Sequence, residues 1–285
     1  MPRASGPTIA RWQLGNQLKA MREAAKMTQI QIAEVLDCSE SKIYKIEAGD
    51  VGLNRGDLLV MLDRYKIAED DARRPAALDL QSQGKQRGWW AKYGTLPTNY
   101  SMYVGLEGAA TEIKAFELAV VPGLFQTEDY ARAITSAAFP EQPAEVDRRV
   151  QLRLERQKVL TDESPVRFWA ILDESVVRRR TGGDAIMQAQ LRHIVEMGKR
   201  PNVTIQVLPF SEGWHPGTSG SFSILEFPEG VHSPVSYIVT PAGEIYLERE
   251  DEVRRATLAF THLQTAALSA SKSRDLIAAL AREFA

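Results

Sequence analysis

Cysteine is almost absent from this chain of 285 residues, which contains only Cys38. One thiol cannot form an internal disulfide, so the chain lacks the framework that stabilises small secreted domains. One thiol is also too few for the thiolate clusters of most structural zinc sites. We therefore expect a protein of the reducing cytoplasm that binds no metal and no other cofactor.

Long apolar runs are absent as well. No stretch reaches about 18 consecutive apolar residues, the length at which a membrane-spanning helix is expected. The first 15 residues, MPRASGPTIARWQLG, lack the apolar segment of a signal peptide. From these two absences we expect a soluble protein that has no membrane contact.

A recognisable catalytic arrangement is missing too. The segment GTSGS (217–221) fits neither a nucleophile elbow nor a phosphate-binding loop, because it lacks their spacing and no helical pattern follows it. The acidic residues within 247–253 fit the start of a helix, where negative charge is favourable. The histidines, which are His193, His215, His232 and His262, are widely spaced and show no metal-binding motif. We predict that the protein is not an enzyme.

Two short helical patterns separated by a tight turn occupy residues 28–49. Thr28 and Ser39 can cap the starts of the two helices, and Gly49 can end the second one in a left-handed conformation. Apolar residues recur at helical spacing in both patterns, at Ile32, Ala33 and Leu36 and then at Ile43 and Ile46. The arrangement predicts a helix-turn-helix motif.

The second of these helices has a polar outer face. If Ile43 and Ile46 face the core, their neighbours project outward on a narrow helix that a DNA major groove can admit. Gln29 begins the preceding helix, where its amide and the free backbone N–H groups can hold a phosphate. The alternative is a small helical domain with polar faces and no DNA partner. The predicted DNA-binding residues are Thr28, Gln29, Ser39, Glu40, Ser41, Lys42, Tyr44 and Lys45.

The spacing TQ…IA…S…I..IE.G resembles that of the XRE-type, lambda-repressor-like helix-turn-helix family over residues 11–66. The resemblance implies that bases are contacted by side chains of the second helix, and that phosphates are contacted from both helices. Carried over by position, the residues implied on bases are Glu40, Ser41 and Lys45, and those implied on phosphates are Gln29 and Lys42.

The same resemblance implies a structural ion pair. In that family an arginine late in the first helix pairs with a glutamate at the end of the recognition helix, and Arg22 and Glu47 stand at these positions. The family usually has glycine in the turn, where this chain has Asp37. Because aspartate tolerates left-handed geometry better than most residues, we expect the turn to be kept.

The charge of the motif is only weakly basic. Residues 1–49 contain seven basic and five acidic side chains, whereas the whole chain has a net charge of −2. One copy therefore releases few counterions from DNA, and affinity follows that release. We expect a homodimer on double-stranded DNA, bound to a two-half-site operator with half-sites about 34 Å apart.

The remaining pattern predicts an α+β protein. We divide it into an all-α helix-turn-helix domain (1–66), a helical linker (67–88) and a mixed α+β domain with a mainly antiparallel sheet (89–285). Helical patterns in the last domain cover 105–117, 127–137, 145–161, 184–199, 251–267 and 271–283. Strand patterns cover 166–172, 202–210, 221–227, 234–240 and 244–248, with a hairpin turn at PAG (241–243).

A second resemblance covers the chain from Trp89 to its end. The segments YVGLEGAATEIKAFE, VVPGLFQTEDYARA, VDRRVQLRLERQKVL and NVTIQVLPF, followed by GWHPGTSGSF, are similar to the C-terminal domain of actinobacterial XRE-type regulators, the WhiJ-like group. That domain has no known function. Its most specific string is PGL-x-QT-x-x-YAR, in which this chain has Phe125 where the group usually has leucine. The resemblance implies regulation and, in many members, a small partner protein encoded by a neighbouring gene.

Six residues of the second domain are candidates for a ligand or partner site. Tyr130 and Arg132 follow the helix cap at Thr127, and a purely structural role there is the alternative. Trp214 and His215 lie on a glycine-rich loop that could close over a ligand or pack down as an anchor. Trp89 and Trp90 could line a small-molecule pocket, form a dimer face or seal the junction between domains.

These patterns together predict a sequence-specific transcription regulator that binds DNA through its N-terminal domain. We expect the C-terminal domain to bind an effector, a partner protein or a second subunit. The alternative is an antitoxin-like protein that neutralises a small partner and binds DNA only to regulate its own promoter.

Overall fold

The computed structural model describes residues 6–94, 96–229 and 232–284. The chain forms two compact units. The first comprises residues 1–109 together with 228–232, and the second comprises 110–227 together with 233–285. None of the described helices is long and apolar enough to cross a bilayer.

All of the regular secondary structure in the described part of the first unit is helical. Proline at the first helical position begins α1, where its fixed φ is favourable, and the Asn54 side chain caps α4 by accepting from the Asp57 N–H at 2.8 Å. The helices are α1 (Pro7–Ala24), α2 (Gln29–Val35), α3 (Glu40–Glu47), α4 (Arg55–Arg64), α5 (Arg73–Gly84) and α6 (Thr98–Ala109), with a 3₁₀ helix at Trp89–Tyr93. The five helices from α1 through α5 share one apolar core.

The helix α5 belongs to this bundle, although the sequence places it in a linker. Ala77 is fully buried in the core, and the buried Gln81 amide donates to the Leu53 carbonyl at 2.7 Å. The first compact unit extends to residue 109, and the domain boundaries at 66 and 88 stay predictions. The short apolar stripe of α5 gives little sign of these long-range contacts.

The second unit is built on a six-stranded sheet in the order β3-β2-β1-β4-β5-β6. The strands are β1 (Glu112–Glu117), β2 (Arg167–Asp173), β3 (Val203–Leu208), β4 (Phe222–Glu226), β5 (Val235–Thr240) and β6 (Gly243–Leu247). The helices are α7 (Glu128–Ala138), α8 (Pro143–Arg156), α9 (Glu174–Arg178), α10 (Asp184–Met197), α11 (Glu250–Ala266) and α12 (Ala270–Glu283).

The strand directions follow from the connections. Helical crossovers join β1 to β2 and β2 to β3, and these pairs are parallel, whereas β1–β4, β4–β5 and β5–β6 are antiparallel. The predicted α+β class with a mainly antiparallel sheet is therefore confirmed. The predicted hairpin turn is also confirmed, since Thr240 pairs with Gly243 across a two-residue loop.

The central strand β1 was not predicted. The sequence indicates a helix over 105–117, but α6 ends at Ala109 and Glu112–Glu117 is a strand. This segment, EIKAFE, pairs with β2 on one side and β4 on the other. Its helical periodicity is overridden by these long-range pairings, which a local pattern cannot show. The five predicted strands all occur within one or two residues of their predicted positions.

Candidate nucleic-acid interface

The start of α2 is fixed by a reciprocal cap. The Thr28 hydroxyl accepts from the Gln31 N–H at 3.2 Å, while the Gln31 side chain accepts from the Thr28 N–H at 2.9 Å. Two N–H groups that the helix leaves unpaired are thereby satisfied. The cap predicted at Thr28 is confirmed, and Gln31 completes it.

The turn between α2 and α3 adopts the geometry that the family usually obtains from glycine. Asp37 has φ +48°, in the left-handed region, and the Cys38 N–H donates to the Ala33 carbonyl at 2.9 Å. The Ser39 hydroxyl then accepts from the Lys42 N–H at 3.3 Å and begins α3. Ala33 is buried between the two helices. The expectation that aspartate keeps the turn is confirmed.

The helix α3 separates apolar from polar residues along its length. Ile43 and Ile46 are 0% and 2% exposed, which confirms their predicted inward orientation. Tyr44 is 61% exposed on the opposite side. Seven of the predicted DNA-binding residues are exposed, namely Thr28, Ser39, Glu40, Ser41, Lys42, Tyr44 and Lys45. We call these seven residues the α3 face.

A buried ion pair ties this surface to α1. The Arg22 guanidinium donates to Glu47 through Nε at 2.6 Å and through a terminal nitrogen at 3.0 Å, so the predicted pair is present and bidentate. Arg22 also donates to the Met27 carbonyl at 2.9 Å. The hydrogen bond to Glu47 raises the pKa of Arg22. Both side chains are nearly excluded from solvent, so each charge depends on the other.

Gln29 also donates a hydrogen bond to the Glu47 carboxylate, and this contact changes its predicted role. Its amide nitrogen donates to Glu47 at 2.7 Å, and the residue is half-buried. The amide that we expected to hold a phosphate is therefore engaged inside the motif. Only its remaining N–H and the backbone N–H groups at the start of α2 are left for an anion.

Two lysines of the α3 face have acidic neighbours. The Lys42 ammonium lies 3.6 Å from Asp57, and its side chain is 45% exposed, so this pair is weak and open to competition. Lys45 lies close enough to Asp50 to oppose the rise in the Asp50 pKa that burial causes. Both lysines remain accessible to a phosphate or a base edge.

Two glycines set how closely α1 approaches α3. A Cβ at Gly15 would lie 2.5 Å from the Glu47 carbonyl oxygen, so the two backbones nearly touch. A Cβ at Gly49, which has φ +75°, would lie 2.1 Å from the Trp12 ring. The left-handed helix end at Gly49 matches the prediction. Gly15 was missed, because a glycine inside a helical pattern carries no signal for its contact partner.

The candidates Tyr130 and Arg132 are engaged in contacts within the second unit. Tyr130 is fully buried, and its hydroxyl accepts from the Val121 N–H at 3.1 Å. Arg132 forms ion pairs with Glu128, at 3.2 Å, and with Asp147. Burial and the hydrogen bond from Val121 support the structural alternative for Tyr130, whereas the ion pairs of Arg132 lie at the surface, with its side chain 40% exposed.

Trp214 and His215 are neighbours in sequence but have opposite environments. Trp214 is 81% exposed on its loop, whereas His215 is buried. The His215 Nε2 atom lies 3.6 Å from Asp173, and its ring meets Phe116 edge-to-face at 5.6 Å. Only Trp214 of this pair presents its side chain to a partner.

Trp89 and Trp90 lie in the 3₁₀ helix of the first unit, with ring centroids 5.9 Å apart and nearly perpendicular planes. Trp89 is 39% exposed. Trp90 is half-buried and lines a cavity of about 500 Å³. In the described part of the chain, no group of three or more potential metal ligands occurs.

Two family models match the chain. A helix-turn-helix domain matches residues 13–76, and a domain of unknown function, DUF5753, matches residues 100–279. The first match contains α2, the turn and α3, and the second contains the whole sheet. No curated protein and no solved structure matches the chain.

Proposed function

Because the chain belongs to the DUF5753 family and carries a helix-turn-helix domain, we propose that it is a sequence-specific transcription regulator. The observation that carries the proposal is the segregation of α3 into a buried apolar side and an exposed polar one. A recognition helix needs both sides, since one fixes its angle and the other reads DNA.

Roles for individual residues follow from their exposure. We assign base contacts to Glu40, Ser41 and Lys45, and a phosphate contact to Lys42, with Tyr44 beside them. The backbone N–H groups at the start of α2, where Gln29 lies, can hold a phosphate. The Gln29 side chain holds the Glu47 carboxylate by a hydrogen bond. Weak net charge in this region supports binding as a homodimer to two half-sites, because one copy neutralises few phosphates.

We propose that the second unit senses an effector or associates with another protein chain. We also propose that the protein is one of the actinobacterial XRE-type regulators of the WhiJ-like group, because its PGL-x-QT-x-x-YAR string resembles theirs, and that the second unit binds an effector, a partner protein or a second subunit. Regulation of transcription would place it in the cytoplasm, without a catalytic role or cofactor.

The alternative function, that of an antitoxin-like module, has one supporting observation. Trp214 is 81% exposed on a loop, and exposed tryptophans are frequent anchors of protein interfaces. In that case a small protein from a neighbouring gene would be the main partner, and DNA binding would serve autoregulation.

Binding-site selection from a random duplex library tests the proposal. The full chain should enrich a sequence with two related half-sites about 34 Å apart. A variant with Glu40→Ala, Ser41→Ala and Lys45→Ala should lose the enrichment while keeping its fold. No enrichment by the unmodified protein at low salt would contradict the function. Mapping of chromosomal sites with and without the neighbouring gene product then separates regulation of many promoters from autoregulation.

A further inference from the structure

A basic cavity lies in the first unit, on the side of α1 that faces the end of α5. Its volume is about 500 Å³, within the range of small-molecule sites. Among the described residues that line it, three are basic and none is acidic. The lining includes Arg11, Lys85, Arg87, Gly88, Trp90 and Ser101. We call this space the basic cavity.

Two glycines give the cavity its shape. A Cβ at Gly84 would lie 2.9 Å from the Arg11 side chain, so the glycine lets the arginine stem cross the end of α5. A Cβ at Gly88 would lie 2.3 Å from the Trp90 ring, which folds over it. Any larger residue at either position would displace one wall of the basic cavity.

Part of the Arg11 guanidinium has no hydrogen-bond acceptor among the described residues. Its Nε atom is buried and has no hydrogen-bond partner among the described residues. Burial also lowers the pKa of Arg11, an effect that the nearby Asp50 carboxylate opposes. A buried donor without an acceptor is costly, so the Arg11 side chain keeps unmet hydrogen-bonding capacity next to the cavity that it lines.

Lys85 and Arg87 add charge at the rim. Both are exposed, and neither forms an ion pair with another described residue. A concave surface with one sign of charge concentrates the electrostatic field and attracts small ions of opposite sign. The ring of Trp90 adds an apolar wall for the uncharged part of a ligand.

We propose that the basic cavity binds a small multivalent anion that carries phosphate or carboxylate groups. Arg11 supplies a fixed, planar set of donors, and the two rim cations add attraction without fixed geometry. Anion binding at this site requires no DNA and goes beyond the proposed function.

The cavity is connected to α3 through consecutive residues of α1. Trp12 packs on Gly49, directly after α3, and Arg11 interacts electrostatically with Asp50. An anion bound at Arg11 places negative charge near Asp50, close to the end of α3. This link rests on the proposed function, since it gives the anion a route to change DNA affinity.

The test is calorimetric titration of the full chain, without DNA, by inorganic pyrophosphate and separately by citrate. Arg11→Gln should weaken binding by about tenfold or more, as expected for the loss of charged hydrogen bonds. Lys85→Gln/Arg87→Gln should weaken it by a smaller factor. The control Lys19→Gln/Arg64→Gln removes the same charge from exposed positions outside the cavity and should change binding by less than about twofold.

Each contrary result has a defined meaning. Equal losses in the cavity variants and the control would show a net-charge effect and overturn the site, as would no binding of either anion. Arg11→Lys keeps the charge but not the planar donors, and unchanged affinity in a folded Arg11→Lys protein would remove the role of Arg11. Reduced affinity and salt slope of Arg11→Gln on duplex DNA, with no small-anion binding, would identify a DNA contact instead. Pyrophosphate and citrate affinities distinguish the two ligand classes.

Discussion

The two compact units differ in where most of their candidate functional side chains lie. In the first unit the polar residues of the α3 face are exposed, while Ile43 and Ile46 beneath them are buried. In the second unit Tyr130 and His215 are buried, and Arg132 is held in surface ion pairs. A polar or aromatic residue in a specific motif is therefore a good candidate for a binding site only when its side chain is not already used in contacts that stabilise the fold.

The largest expected effect concerns the buried pair that supports the α3 face. Glu47→Ala leaves the nearly buried Arg22 charge with only the exposed Glu23 carboxylate, at 3.7 Å, and removes an acceptor of Gln29. We expect the first unit to lose about 3 kcal/mol of unfolding free energy. Denaturant unfolding, with hydrogen exchange of α2 and α3 amides, measures this loss. A change below about 0.5 kcal/mol would show that the pair is not structural.

The next effect tests the close approach of α1 to α3. Helix propensity alone predicts that Gly15→Ala stabilises the protein by about 1 kcal/mol. The added methyl group would lie 2.5 Å from the Glu47 carbonyl, so we expect a net loss of about 2 kcal/mol instead.

Gly108→Ala is the matched control for that substitution. Gly108 also lies in a helix, but apart from its chain neighbours and the backbone of that helix, no described atom lies within 4 Å of its added Cβ. It should therefore show the gain of up to about 1 kcal/mol that propensity predicts. Equal behaviour of the two variants in thermal unfolding would show that the close approach is not rigid.

These cases show what the sequence could and could not predict. Caps at Thr28 and Ser39 and the left-handed turn at Asp37 depend on neighbours within four residues, so a local pattern identifies them. The contact of Gly15 and the strand β1 depend on partners tens of residues away. A pattern read along one segment contains no information about those partners.

In the second unit we expect a smaller effect, a dependence of the unfolding free energy on pH. Burial raises the pKa of Glu117, at the end of β1, from its ordinary value of 4.5 to about 7, against an opposing hydrogen bond from Ser221. The native state therefore binds this proton more tightly than the unfolded chain does. Its stabilising contribution is full below pH 4.5 and is lost as the pH rises through about 7.

We expect the unfolding free energy to fall by about 1 to 3 kcal/mol between pH 5 and pH 8 as a result. The lower part of that range allows for the partial solvent exposure of Glu117. Glu117→Gln keeps the hydrogen-bonding shape without the titration and should flatten the pH dependence in chemical denaturation. The same slope in Glu117→Gln would assign the dependence to another group.

The roles within the α3 face are tested by two lysines that differ in predicted contact. Lys45→Ala should change operator preference, with a loss of about 1 to 3 kcal/mol on the preferred sequence and less on others. Lys42→Ala should weaken binding to all sequences and lower the salt slope by about one. Fluorescence anisotropy on the selected duplex and a scrambled duplex, across salt concentrations, measures both. Uniform loss with Lys45→Ala would refute its contact with a base edge.

The smallest effect on stability is expected at Trp214, where it separates an interaction surface from a structural loop. Its side chain is 81% exposed, so Trp214→Ala should change the unfolding free energy by less than about 0.5 kcal/mol. His215→Ala, next to it, removes a buried ring beside Asp173 and Phe116 and should cost about 1 to 3 kcal/mol. If the neighbouring gene product binds this loop, Trp214→Ala alone should abolish co-purification while the fold is kept. Retained co-purification in that folded variant would remove the only structural support for the antitoxin-like alternative, because no other exposed tryptophan of the described second unit could replace the anchor.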